Sequence, residues 1–244
     1  MNIVQKFSTH LTSVLVNRKI EYIAIHYTAG TTSQKGSAVN TAWYFAGSNA
    51  HGSADFIVDD ETIVQYNPDI RNRFCAAVGD KRGNSKGGSL YKKATNANTI
   101  SIEICSTNDT KQMTYPNDKH YSFTPSAVER AVELTRYLME QYNIPADRVV
   151  RHYDISGKLC PGIIGWNADS GDESAWLEFK ERLTDDMQKR YNTIAELPDW
   201  VKPAVQKLCW AGKLKGKTGN KDANGFPTDL DLSEDMVRLI VMLT

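Results

Sequence analysis

The segment Arg151-His152-Tyr153-Asp154-Ile155-Ser156-Gly157-Lys158-Leu159-Cys160-Pro161 places a histidine, a lysine and a cysteine in a short stretch of turn-forming residues. Far upstream, Ile23-Ala24-Ile25-His26-Tyr27-Thr28 carries another histidine at the end of an apolar run. Two imidazoles and one thiolate suit a zinc ion and leave its fourth position for water. That is the pattern of a catalytic site, because a structural site is closed by four protein ligands. Taken singly, the residues have plainer explanations. A histidine at a strand end is most often a hydrogen-bonded core residue, and an isolated cysteine is usually a small hydrophobe. His10, His51 and His120 are read that way. The joint pattern carries the weight, and Glu103 joins it as a charged side chain inside the β-branched run Thr99-Ile100-Ser101-Ile102-Glu103-Ile104-Cys105.

These residues need elements that bring them together. Lys19 to Tyr27 reads as a buried strand. A helix is expected from about Ser37, as its N-cap, to Phe45. Ala54 to Val58 and Thr62 to Gln65 flank Asp59-Asp60-Glu61 as a hairpin. Arg82 to Asn98, rich in Gly, Ser, Asn and Lys, reads as a long surface loop and as a wall of a substrate groove. In the run from Thr99 to Cys105, alternation puts Ile100, Ile102 and Ile104 on one face and Ser101, Glu103 and Cys105 on the other. The clearest helix starts at Thr124, an N-cap with Pro125 at the first helical position, and ends near Asn143 before Pro145. Arg148-Val149-Val150 is a short strand leading into His152. A last helix of the main unit, Glu173 to Arg190, puts Trp176, Phe179, Leu183 and Met187 on one side.

After Tyr191 the character changes. Leu197-Pro198-Asp199-Trp200 begins a short helical piece with Val201, Val205 and Leu208 on its apolar face. A loop runs from Gly212 to Gly225, and Ser233 is expected to cap a closing helix from Met236 to Leu243. The predicted organisation is a main domain over residues 1–188 and a small, mainly helical module over 192–244. The module is too small for a robust core of its own and is expected to pack on the main domain, a partner or a second copy.

Composition excludes several classes. Lys plus Arg and Asp plus Glu both number 29, so net charge is near zero and nothing points to nucleic acid. No apolar run is long enough for a membrane span. Residues 1–10 lack the apolar core of a signal peptide, so the protein is expected to be made in the cytoplasm and either to work there or to be released by something else. Cys75, Cys105, Cys160 and Cys209 are widely spread, with no CxxC pair, and leave Cys160 available as a thiolate.

Four stretches, in order, resemble the type 2 N-acetylmuramoyl-L-alanine amidase family, the zinc enzymes that include phage endolysins and are related to peptidoglycan recognition proteins. They are Tyr22-Ile23-Ala24-Ile25-His26-Tyr27-Thr28, Ser53-Ala54-Asp55-Phe56-Ile57-Val58-Asp59-Asp60, Asn96-Ala97-Asn98-Thr99-Ile100-Ser101-Ile102-Glu103-Ile104-Cys105, and the segment from Arg151 to Pro161. The resemblance implies an α/β fold, a central mixed β-sheet flanked by helices, with zinc in a surface groove. It implies His26, His152 and Cys160 as zinc ligands, Glu103 as general base and then acid, and Lys158 as a second cationic group at the oxyanion. Tyr153 and Asp154 are candidates to orient the ligands. The implied reaction is hydrolysis of the amide between N-acetylmuramic acid and the L-alanine of the stem peptide, with peptidoglycan as partner. The alternatives are a peptidoglycan-binding module without catalysis, and an amidase acting on soluble muropeptides. Arg73-Phe74-Cys75-Ala76-Ala77 stands where relatives often carry Trp-His, and Asp55 where they often carry His or Tyr. Cys75 is expected near the cleft or packed under it. Trp200 and Trp210 of the C-terminal module are candidates for glycan contact, with a structural role or a homo-oligomer as the other readings.

Overall fold

The computed structural model describes residues 3–5, 8–79, 81–188, 190–233, 236–237 and 240–241, with backbone only at 5 and 185–188. In chain order the first elements are β1 Ile3–Gln5, β2 Thr12–Val14, β3 Tyr22–Tyr27, α1 Ser37–Ala46, β4 Phe56–Val58, β5 Ile63–Gln65 and β6 Arg73–Cys75. Then come β7 Thr99–Ile104, β8 Thr107–Asn108, β9 Tyr121–Ser122, α2 Pro125–Tyr142, β10 Val149–Arg151, α3 His152–Ser156 and α4 Ser174–Gln188. The last are β11 Arg190–Tyr191, α5 Lys202–Trp210 and β12 Leu232–Ser233. The chain divides into two compact units, Met1–Lys180 and Glu181–Thr244. The division falls inside α4 rather than after it, at the expected 188. Met187 lies among the side chains outside the description.

The first unit is built on a six-stranded sheet in the order β1-β5-β4-β7-β3-β10. All neighbours are parallel except β4 and β5, so the sheet is mixed, as expected. Alternation along β7 works as read. Ile100, Ile102 and Ile104 are fully buried on one face. α2 packs on β7 and β4, and its Leu134 and Leu138 are buried. Each such leucine contributes about 1.5–3 kcal/mol. On the opposite face α1 covers β4 and β5 while α3 lies against β10 and β3. His26 and Glu103 stand on that face, over the strands between the two helices.

Helix boundaries follow local chemistry where a local partner exists. Thr124 caps α2 by accepting the Ala127 N–H, and Asn143 ends it in the left-handed region. For α1 the expectation fails. Ser37 is its first residue, Gly36 is the cap, and no cap side chain accepts a bond. Asp59 supplies the function from across the chain, its Oδ2 accepting the N–H groups of Gly36 and Ala38 at 2.9 and 3.0 Å. Its Oδ1 accepts the N–H groups of Glu61 and Thr62 and so shapes the predicted β4–β5 hairpin.

The second unit pairs β11 with β12 antiparallel. Contrary to expectation it has a core of its own, in which Tyr191, Val201, Val205, Leu230, Leu232 and Val237 are buried together. Ser233 belongs to β12, yet its Oγ accepts the Met236 N–H as the predicted cap. Residues 236, 237, 240 and 241 are helical. The rest of the predicted closing helix lies outside the described residues. Among those residues no helix is long and apolar enough to cross a membrane.

Candidate active site

Strand register brings the chemistry together. β3 and β7 run parallel with His26 level with Glu103, so both side chains rise from the same face. β10 joins the other side of β3 with Arg151 level with Ile25, which delivers the next residue, His152, beside His26. The chain then makes the single short helix α3 and turns at Gly157, whose φ of 77° is the left-handed conformation glycine adopts without strain. The turn returns Cys160, whose carbonyl accepts the Tyr153 N–H at 2.8 Å. His26 and His152 stand with ring centroids 4.7 Å apart, and His26 Nδ1 lies 3.7 Å from Cys160 Sγ. Among the described residues, His26, His152 and Cys160 form a group whose ligand atoms all lie within 4.8 Å of one another.

The donor set fits a metal ion. All three residues are at most 5% exposed. His152 Nε2 is hydrogen-bonded to the Val78 carbonyl at 2.9 Å, which leaves Nδ1 as the free ring nitrogen. That Nδ1, together with His26 Nε2 and Glu103 Oε2, is buried without a hydrogen-bond partner. Buried polar atoms without partners are costly and call for an explanation, and a bound cation supplies one.

Electrostatics support the same reading. Burial pushes the Glu103 carboxyl up to about 8, against the pull of the Lys158 ammonium. Burial, helped by His152 and Lys158, holds His26 well below the ordinary imidazole range. Burial and Lys158 bring His152 down to about 4, against its bond to Val78. Burial and the Glu103 charge raise the Cys160 thiol to about 12, against Lys158 and the Tyr27 backbone N–H. Without a cation the pocket therefore favours the neutral form of each of these groups. A divalent cation reverses that preference at the thiol and carboxyl and is compatible with neutral imidazoles.

Lys158 is exposed, yet its charge is felt by all four of these groups. The side chains of Tyr153 and Asp154 are committed elsewhere and do not bond the donor side chains. Asp154 takes a bidentate pair from the Arg151 guanidinium at 2.7 and 2.9 Å, which fixes the start of α3. Tyr153 Oη donates to Asp169. The residue that orients His152 is Val78, through a backbone carbonyl that has no side-chain signature.

Asp55 and Cys75 lie in the interior. Asp55 is fully buried, accepts the Ser101 N–H at 2.8 Å and Asn67 Nδ2 at 2.6 Å, and sits 3.8 Å from the Arg18 guanidinium. Cys75 is buried in the cluster that packs Ala38, Ala42 and Phe45 of α1 onto the sheet. Cys75 is thus packed in the interior. The loop read as a groove wall docks on the 152–160 turn. Gly83 and Gly88 donate backbone N–H bonds to Ser156 and Tyr153, at 2.6 and 2.9 Å.

The fold and the site define an α/β protein with a preformed two-histidine, one-cysteine donor pocket beside a buried carboxyl. A family model described as N-acetylmuramoyl-L-alanine amidase matches residues 16–163, and the chain belongs to that family. It is similar to N-acetylmuramoyl-L-alanine amidase CwlL of Bacillus licheniformis, 29% identical over 156 residues, which are 62% of this chain and 38% of the relative. It is also similar to N-acetylmuramoyl-L-alanine amidase CwlA of Bacillus subtilis strain 168, 28% identical over 171 residues, 70% of this chain and 52% of the relative. The chain thus spans about half or less of these two relatives. The solved structure of PlyL superposes with a TM-score of 0.52 at 28% identity, covering 75% of this chain and 97% of PlyL.

Proposed function

We propose that this protein hydrolyses the amide bond between N-acetylmuramic acid and L-alanine of peptidoglycan, with a zinc ion held by His26, His152 and Cys160. The observation that carries this reading is the buried donor group, with unpartnered nitrogens on both imidazoles and the unpartnered Glu103 Oε2 alongside. Bound there, zinc supplies Lewis-acid polarisation of the amide carbonyl and acidification of water. Glu103 takes the proton from the attacking water at its free carboxylate oxygen and gives it to the leaving amide nitrogen. Its burial suits both roles, because it raises the basicity of the carboxylate while the Lys158 charge keeps the ionised form accessible. Lys158 offsets the negative charge that develops on the carbonyl oxygen. The αL turn at Gly157 lets one short loop supply both Lys158 and Cys160.

Family membership supports an enzyme that acts on the cell wall. On the second unit Trp200 and Trp210 are 56% and 74% exposed, and their rings are the surfaces we assign to wall contact. The deciding experiment is product analysis on purified cell walls. New N-terminal L-alanine without new reducing sugar ends is expected. New reducing ends without L-alanine would indicate a glycosidase, and neither product would indicate a binding module.

A further inference from the structure

The donor turn is held by a distant stretch of chain. Val78 O accepts from His152 Nε2 at 2.9 Å. Ser85 Oγ donates to the Gly157 carbonyl at 2.6 Å, at the αL residue that returns the chain to Cys160. Gly83 N donates to Ser156 O at 2.6 Å, Gly88 N to Tyr153 O at 2.9 Å, and Leu90 N to Asp154 O at 2.9 Å. The approach is close enough that a Cβ at Gly83 would stand 2.7 Å from the Gly157 carbonyl oxygen. Farther along, Asn96 Oδ1 accepts the N–H groups of both Ala77 and Val78, at 3.0 and 2.8 Å. Asn96 thus ties the segment after β6 that carries the Val78 carbonyl to the far end of the same loop.

We propose that this loop is a clasp that positions the metal donors, with Ser85 and Asn96 as its positioning residues. The inference rests on the reading of His26, His152 and Cys160 as zinc ligands. Neither Ser85 nor Asn96 touches a donor atom. Asn96 acts through Val78, which holds one tautomer and one ring orientation of His152. Ser85 acts through Gly157, which sets where the chain brings back Cys160. Outer partners of metal ligands commonly govern affinity by about 10–100-fold, because a misoriented ligand must be reoriented at the expense of binding.

The test measures zinc affinity of the full chain by competition with a chromogenic chelator, together with thermal unfolding of the metal-free protein. Ser85→Ala and Asn96→Ala are expected to weaken zinc binding by about 10-fold or more. Asn96→Asp keeps an acceptor for the same two N–H groups and is expected to restore wild-type affinity. Ile63→Val, in the buried interior of β5, serves as a control that loses stability away from the loop. It is expected to leave zinc affinity unchanged. The proposal is overturned if Ser85→Ala and Asn96→Ala bind zinc like wild type while only melting earlier, or if Ile63→Val weakens zinc equally. A wild-type protein that binds no zinc, or a Cys160→Ser variant with unaltered affinity, would overturn the donor assignment itself and the clasp with it.

Discussion

Replacing Glu103 by glutamine should remove activity and stabilise the metal-free fold, and the two effects share one cause. Burial pushes the carboxyl from 4.5 to about 8, and its Oε2 has no partner. At 1.36 kcal/mol per unit, the ionised form costs the metal-free fold roughly 4–5 kcal/mol, an upper figure because water entering the pocket screens it. The sign follows from linkage. The folded pKa is raised, so the folded protein holds this proton more tightly than the unfolded chain. The associated stability is complete below about 4.5 and is lost as pH rises through about 8. Glutamine has the same shape and does not titrate. The chelator-treated Glu103→Gln protein should therefore unfold like wild type at pH 4 and outlast it at pH 8. A gain of even 1 kcal/mol corresponds to about 2–4 °C for a chain of this size. Thermal unfolding followed by circular dichroism at pH 4, 6 and 8 reads the difference. The zinc-loaded variant should lose about 10²–10⁴-fold in turnover, the usual contribution of a positioned acid–base group. A variant no more stable than wild type at pH 8, or equally shifted at pH 4, would refute the account of the buried carboxyl. Undiminished turnover would refute its role as proton carrier.

Three other perturbations probe separate parts of the argument. Lys158→Ala should lower kcat by about 10²–10³-fold with KM little changed, as for a lost oxyanion donor, and steady-state kinetics on solubilised wall fragments would show it. Asp59→Ala removes the acceptor that serves four backbone N–H groups in α1 and the β4–β5 turn. It should cost about 2–4 kcal/mol in urea unfolding, combining a lost cap with stranded donors. Gly87→Ala would put a Cβ 2.3 Å from the Tyr153 carbonyl oxygen. It should destabilise by about 1–3 kcal/mol, read in the same assay.

Much of the fold is legible along the chain. The alternation in Thr99–Ile104, the apolar run at Tyr22–Tyr27 and the Thr124-Pro125 start of α2 are local signals, and the structure realises each. Short elements carry too few residues for periodicity, and so β1, β2 and β6, of three residues each, leave no signal along the chain. The cap of α1 falls on Gly36 and not on Ser37 because the acceptor, Asp59, lies across the chain in the β4–β5 turn. The core of the second unit is likewise invisible along the chain. Apolar residues from Tyr191 to Val237 converge only when β11 and β12 pair.

The site divides along the same line. The sequence alone determined which side chains could do chemistry: two histidines, a cysteine, a carboxylate in an apolar strand and a lysine beside a glycine turn. Those are properties of residue type and spacing. Tertiary structure decided how they meet. Parallel register sets His26 level with Glu103 and brings His152 beside it. It also decided what orients them, since His152 rests on the carbonyl of Val78 and the Gly157 turn on Ser85. Every residue has a carbonyl, so such a partner leaves no mark in the sequence until the fold selects it. The same reason sends Asp55 and Cys75 to the interior, where Arg18 and Asn67 hold Asp55 and the α1 residues Ala38, Ala42 and Phe45 pack with Cys75.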